Sequence, residues 1–423
     1  MDAPATGRKP STRKGLVAWC LFDWANSAYP TVITTFVFAA YFTKAVAVDV
    51  VSGTAQWGWT ASVAALAVAL AGPVLGAIAD HSGRRKPWIL AFTVIAALAS
   101  ALLWSVTPEP GSILRALVLV GIASFAFEMG MVFYNAMLPD LAPAAKIGRW
   151  SGWGWGLGYI GGLACLAITL VAFVQADVPW FGLDPEAAEH LRATGPLVAA
   201  WMLVFALPLF LYTPDRAPGA RLGEAARRGM VTLMATFTHL RAHANVGRFL
   251  LARMIYTDGL NTLFAFGGIY AAGSFGFSFE DLILFGIGIN LTAGLGAAGF
   301  AWVDDWIGPK RTILIAVTAL SLLSSCLLII ESVTLFWVFG LSLGIFVGPA
   351  QSASRSMMAR MAPVDMRTEM FGLYALSGKA TAFLGPALLA LTTDAFTSQR
   401  AGMASILIFF LVGGLLLLRV REK

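Results

Sequence analysis

The sequence predicts an all-α membrane protein of twelve transmembrane helices in two pseudo-symmetric six-helix halves. Three observations predict it. Of 423 residues, 58% are hydrophobic and only 12% charged, against roughly 45–50% and 25% in soluble domains. A soluble chain could not hide that much apolar surface, whereas a bilayer excludes ionisable groups. Twelve apolar runs are long enough to cross a hydrocarbon core of about 30 Å. Finally, one polar signature occurs in both halves of the chain.

The first six runs lie near 15–44, 58–79, 88–107, 113–138, 150–175 and 196–213. After a polar gap the other six lie near 247–272, 282–303, 311–330, 333–357, 368–393 and 400–419. The first run follows basic residues and ends near Ala45-Val46-Ala47, as a secretory signal would. Its apolar stretch is too long for a signal core and contains Asp23, so it is expected to be retained as a helix. The reading divides the chain into a cytoplasmic tail (1–14), a first half (15–213), a linker (214–246) and a second half (247–423).

The basic residues set the orientation. Twenty-three of them fall in the tails and loops of one face, including Arg84, Arg85, Lys86 and the linker arginines, against four on the other. This bias places both termini in the cytoplasm of a bacterial-type inner membrane. The same scatter in short clusters argues against nucleic acid as the partner of a chain with net charge +6. Within the linker, Leu222, Ala226, Met230, Leu233, Phe237 and Leu240 recur at steps of three and four, the stripe of an amphipathic helix lying on the membrane surface. His239 and His243 share a face there, but lack a third ligand and read as solvated. Cys20, Cys165 and Cys326 lie far apart in apolar runs and imply neither a disulfide framework nor a metal site. No cofactor and no enzymatic chemistry are expected.

The repeated signature is Gly76-Ala-Ile-Ala-Asp80-His-Ser-Gly83-Arg84-Arg85-Lys86 after the second run, and Ala301-Trp-Val-Asp304-Asp305-Trp-Ile-Gly308-Pro309-Lys310-Arg311 after the eighth. Two further echoes keep the same order. Pro143, Gly152 and Gly158 match Pro363, Gly372 and Gly378, and Asp23-x-x-Asn26 matches Asp258-x-x-Asn261. Three ordered echoes indicate an internal duplication.

Across essentially the whole chain these residues resemble the major facilitator superfamily, whose most specific motif is the Gly-x-x-x-Asp-x-x-Gly-Arg-Arg-Lys loop. The second copy departs from it at Ala301 and Pro309. The stretch Phe22-Asp23-Trp24-Ala25-Asn26-Ser27-Ala28-Tyr29 resembles the first helix of the vacuole-effluxer-like branch, the autophagy-related permeases. The resemblance implies the major facilitator fold, with its first, fourth, seventh and tenth helices lining a central cavity. It also implies a gating role for Gly76, Asp80, Gly83, Arg84, Arg85, Asp305 and Gly308, and for Arg355 as the cation that holds a motif aspartate.

Intramembrane charges carry the rest. Asp23, Glu128 and Asp258 fall on the first, fourth and seventh runs, about 14–15 Å from the cytoplasmic end at 1.5 Å per residue. Each costs about 2.5–3.5 kcal/mol there. Asn26, Asn135 and Asn261 share the faces of these acids by helical spacing. A carboxylate-plus-amide face suits an ammonium group, a hydroxyl or a proton. Tyr29 and Tyr134 are expected to line the same cavity. Gln351 shares a face with Arg355, and Lys379 reads equally as a substrate contact or a structural counter-ion. The strings Gly156-x-Gly158-x-x-Gly161 and Gly294-x-Gly296-x-x-Gly299 follow no strand and are not nucleotide loops; they are expected to smooth the surface between the fifth and eighth helices. The expected function is secondary active transport by alternating access, as a monomeric, proton-coupled exporter or exchanger of a small polar solute such as an amino acid. The alternatives are a sugar, drug or lipid carrier, and a non-transporting scaffold or sensor.

Overall fold

The computed structural model describes residues 11–176, 179–238 and 244–422. Each apolar run is helical. In order they are α1 (Arg13–Asn26, continued through Tyr29–Phe36, Phe38–Tyr41 and Phe42–Val46), α2 (Val50–Ser82), α3 (Lys86–Leu102), α4 (Ile113–Leu141), α5 (Ile147–Thr169) and α6 (Thr194–Tyr212). A linker helix (Leu222–Thr238) follows. The second half comprises α7 (Ala244–Phe275), α8 (Phe279–Ile307), α9 (Pro309–Ile329), α10 (Val333–Met361), α11 (Arg367–Ser377, then Leu384–Phe396) and α12 (Gln399–Ala404, then Ile406–Leu418). Among the described residues, nine helices are long and apolar enough to cross a membrane. The three others are α1, α7 and α11. The first is interrupted where Pro30 lacks an amide hydrogen and the ladder widens to a π-type turn. α7 carries Arg248, Arg253, Asp258 and Asn261, and α11 is broken across residues 378–383.

Exposed leucines such as Leu66, Leu70, Leu114, Leu211, Leu295, Leu322 and Leu415 make the outer surface apolar. Lipid is as apolar as leucine, so close packing must hold the helices together instead. Small residues provide it between the halves. A Cβ on Gly152 of α5 would sit 2.5 Å from the Ala297 carbonyl of α8, and one on Gly76 of α2 would sit 2.6 Å from the Thr368 carbonyl of α11. The two glycine strings divide differently from expectation. Gly156 and Gly294 do meet across α5 and α8, but Gly158 and Gly161 pack on α1, and Gly296 packs on α10. Those three therefore tighten each half internally.

The linker helix turns Ala225, Gly229 and Leu233 inward, with Gly229 against the backbone of Ala77 and Ile78 on α2, while Leu222 and Met230 of the predicted stripe are exposed. Leu240, His239 and His243 lie outside the described residues.

Candidate inter-half latches and buried charge sites

The start of α1, the end of α12 and both signature loops lie on one face, called here the termini face. On it the halves are joined by two latches of the same design. In the first, Asp80 at the end of α2 accepts hydrogen bonds from the backbone amides of Thr368 (2.8 Å) and Glu369 (2.9 Å), and from the Thr368 hydroxyl (2.7 Å). A carboxylate there satisfies the unpaired amides that open α11 and meets the positive end of its dipole. In the second, Asp305 at the end of α8 accepts from the amides of Gly148 (2.9 Å) and Arg149 (3.2 Å), which open α5. Each acid thus caps a helix of the opposite half. Gly83 and Gly308 turn the chain after these helices with φ of +84° and +89°, a region that favours glycine.

The cations around the latches differ. Arg85 is 1% exposed; it donates to the Thr368 hydroxyl, the Ala136 carbonyl and the Asp140 carboxylate, and approaches Asp80 at 3.5 Å. Burial, the largest influence, holds its guanidinium below its ordinary value, and Asp140 opposes that effect. Asp140 also receives Arg367 and, at 2.7 Å, Arg216 of the linker. Asp215 beside it accepts from the Arg85 and Lys86 amides (3.0 Å each), capping α3. Arg84 is exposed and, among the described residues, forms no ion pair, so it lies outside the latch that the motif assigned it to.

Around the second latch, Arg360 of α10 donates to Asp305 (3.2 Å) and to the Ala144 carbonyl (2.7 Å). Arg149 stands 3.6 Å from Asp305. Arg360 therefore holds the motif aspartate, the contact expected of Arg355.

Arg355 instead points toward the membrane interior. It pairs with Asp23 of α1 at 2.9 Å, and donates to the Asn135 side chain, the Ser151 hydroxyl and the Ser151 carbonyl. Trp19, Tyr134 and Trp155 rings surround the guanidinium at 4.9–5.8 Å. The Tyr134 hydroxyl can donate to Asp23 (2.9 Å) or to the Trp19 carbonyl (3.0 Å). This pair bridges α1 and α10, hence the two halves, and is buried.

The three acids have different surroundings. Glu128 of α4 pairs with Lys379 at 2.8 Å, and both side chains stay about one-third exposed (30% and 34%). Lys379 lies in the break of α11, not within a continuous helix. Arg253 of α7 secures that break by donating to the Tyr374 carbonyl (2.7 Å) and the Ser377 hydroxyl (2.8 Å). Asp258 is buried against α11 beside Thr381 and, among the described residues, forms no ion pair.

The amides follow their own neighbours. Asn135 serves Arg355, and the Asn26 amide meets the Met131 sulfur (3.4 Å). Asn261 is exposed on α7. Tyr29 is buried, its hydroxyl against Ser124 and the Val120 carbonyl of α4, and Tyr134 is sealed beneath Arg355. Neither tyrosine lines a cavity. Gln351 accepts from the Tyr159 hydroxyl of α5 at 2.7 Å. Toward the opposite face, a cavity of about 230 Å³ opens among Thr35, Phe36, Phe264, Gly286, Asn290 and Gly344. Thr35 follows Asp23 by roughly 18 Å of helical rise.

Residues 46–423 match the family described as Vacuole effluxer Atg22 like. The chain belongs to this family. It is 27% identical over 409 residues to an uncharacterized MFS-type transporter, YxiO of Bacillus subtilis, covering 96% of this chain and 94% of that one. It is 22% identical to Autophagy-related protein 22 of Coccidioides immitis, covering 80% and 67%. Among solved structures, the major facilitator transporter FucP in its outward conformation superposes with a TM-score of 0.76 over 97% of this chain and 99% of that one, at 13% identity. The proton:xylose symporter XylE superposes with 0.72 over 95% and 94%, at 12% identity. The fold is that of the major facilitator superfamily, and the chain is a transporter rather than an enzyme.

Sequence reasoning missed Arg216, Asp140, Thr368, Ser151, Arg253 and Arg360. Two signals were available. Arg360 stands 220 positions after Asp140, the offset of the Pro143 and Pro363 echo, and Thr368 stands 220 after Gly148.

Proposed function

We propose that this transporter carries a small polar solute with both an amine and a carboxylate, an amino acid in the first instance, by proton-coupled export or exchange. The observation that carries the reading is the half-open Glu128–Lys379 pair, which bridges the halves at the break of α11. Unwound helix at membrane depth occurs where backbone lines a cavity. A zwitterion can replace each partner of such a pair, its ammonium meeting Glu128 and its carboxylate Lys379. Binding then exchanges one inter-half contact for two solute contacts, which favours exchange over slippage. Asn261, exposed on α7, and Gln351 are further candidate contacts of the solute. Asp23 and Asp258, buried at similar depth, are the candidates for the driving proton.

In this reading all twelve helices cross the membrane, with halves at 15–213 and 247–423 joined by the linker. The termini face is cytoplasmic, the membrane is a bacterial-type inner membrane, and the unit is a monomer. Asp80, Asp305 and the paired Arg355 close that face. The apolar walls of the outer cavity favour a second reading, an amphipathic drug-like or lipid solute.

A thermal-shift screen of the purified protein against amino acids, sugars, nucleosides and amphipathic drugs separates them, because a ligand of the folded state raises the midpoint. The expected result is a shift with amino acids that disappears in Glu128→Gln and in Lys379→Met. A shift produced by a sugar or drug and preserved in both variants overturns the first reading.

A further inference from the structure

Asp304 precedes the motif aspartate on α8, has no counterpart in the first signature, and is 2% exposed. Its Oδ1 accepts from the Ser356 hydroxyl at 3.1 Å, and Arg360 stands 3.8 Å away. Its Oδ2 is buried and, among the described residues, has no hydrogen-bond partner. The donors nearby are committed to its neighbour: the Gly148 and Arg149 amides and the closer contact of Arg360 all serve Asp305. A Cβ on Gly148 would fall 2.4 Å from the Asp304 carboxyl carbon, so α5 lies directly on the side chain.

Among the described residues, α10 offers Arg360 to Asp304, and Arg149 of α5 stands by the neighbouring Asp305. Asp305 lies on its own helix. Glu422 approaches from the C-terminal segment, where its carboxylate accepts from the Lys310 amide. Two arginines, each about 30% exposed, thus face three carboxylates. A buried carboxylate beside like charges and short of donors takes up a proton rather than remain ionised.

We propose that Asp304 is a protonation site of the second latch: it holds a proton while α5 covers it and releases that proton to the cytoplasm when the halves part there. The proposal rests on the alternating-access reading and deepens it, because it couples one proton to closure of the termini face. Its sign follows from linkage. The closed state binds the proton better, so acid favours closure and rising pH favours opening. One titrating group changes the closed-to-open ratio by at most tenfold per pH unit. Asp304→Asn mimics the neutral form and removes the dependence. Ser356→Ala removes the hydrogen bond that supports the anion, so it keeps the dependence and moves its midpoint to higher pH.

The test is a pulsed electron-electron resonance series from pH 5 to 8 in lipid nanodiscs. Spin labels at Ala145 and Val364, exposed residues on opposite halves, are placed in a background with Cys20, Cys165 and Cys326 replaced by alanine. The expected result is a closed population that falls with pH in the parent protein and stays high and flat in Asp304→Asn. An unchanged slope in Asp304→Asn overturns the proposal. So does a flat parent profile when Asp80→Asn still opens the face, an outcome that leaves alternating access standing. A face that opens in neither case overturns alternating access itself.

Discussion

The two latches share one ancestor and one geometry, yet they are wired differently. In both, an aspartate at the end of one helix caps the start of a helix in the other half. In the first, the residue at the matching end of α4 is Asp140, which gathers Arg85, Arg216 and Arg367 into a buried network. In the second, the residue 220 positions later is Arg360, and it goes to the capping acid directly. Reversing one charge gives the first latch Asp140 as a common partner for three arginines. The second keeps two arginines for Asp304, Asp305 and Glu422. Duplication preserved the backbone contact, which any carboxylate can make. The side-chain shell was free to diverge, and in the second latch it places Asp304 beside the capping acid.

The largest expected effect is at the first latch. Asp80 is 3% exposed on its side chain and Arg85 1%, and losing one partner of such a network costs about 3–5 kcal/mol. Asp80→Asn keeps one acceptor oxygen and loses the charge. The closed-to-open ratio at the termini face should fall about a hundredfold, since 1.4 kcal/mol is tenfold. Asp305→Asn should shift it about fivefold, because Arg149 and Arg360 are each near 30% exposed and solvent screens such pairs. The same pair of labels measures both. A larger shift from Asp305→Asn would show that burial does not rank the latches.

How much of this was legible in the sequence depends on which atoms do the binding. The two aspartates, their glycine turns and the duplication could all be read. Their partners were legible only through the 220-residue offset, because Glu369, Gly148 and Arg149 contribute backbone amides that leave no side-chain signature. Arg355 was assigned to the wrong acid for a geometric reason. It precedes Arg360 by five residues, which is about 7.5 Å along the helix and 140° around it, enough to exchange the loop for Asp23. Spacing also put Asn135 with Glu128, whereas tertiary packing gave it to Arg355. The break of α11 had a local cue in Gly378 and in Gly385-Pro386, the proline falling in the restarted first turn where no amide is needed. Nothing local announced that Arg253 would secure it.

A smaller effect distinguishes the two charges at matched positions. Asp140→Asn strips three arginines of their common partner, whereas Arg360→Gln leaves Asp305 still bonded to two amides. Asp140→Asn should therefore lower the unfolding midpoint as well as open the termini face, and Arg360→Gln should weaken closure by a few-fold with little change in midpoint. Calorimetry of both variants in nanodiscs decides it. Equal losses of midpoint would mean that the second latch is as deeply built into the fold as the first.

The smallest effect concerns the linker, whose described hydrogen bonds reach the first latch. Asp215 caps α3, Arg216 reaches Asp140, and Gly229 lies on α2. One turn further, the Thr232 hydroxyl meets the His81 ring at 2.8 Å. His81 directly follows Asp80, so the linker helix steadies the end of α2 that presents the first latch. Removing one partly buried hydrogen bond costs about 0.5–1.5 kcal/mol. Thr232→Val should therefore open the termini face two- to tenfold. Groups that act in one network are not additive, whereas distant ones are. Combined with Asp80→Asn, Thr232→Val should add little, since the contact it supports is already broken. Combined with Asp305→Asn it should add its full effect, because the Thr232 contact supports the end of α2 that presents Asp80 rather than Asp305. Full additivity with Asp80→Asn would detach the linker from the first latch.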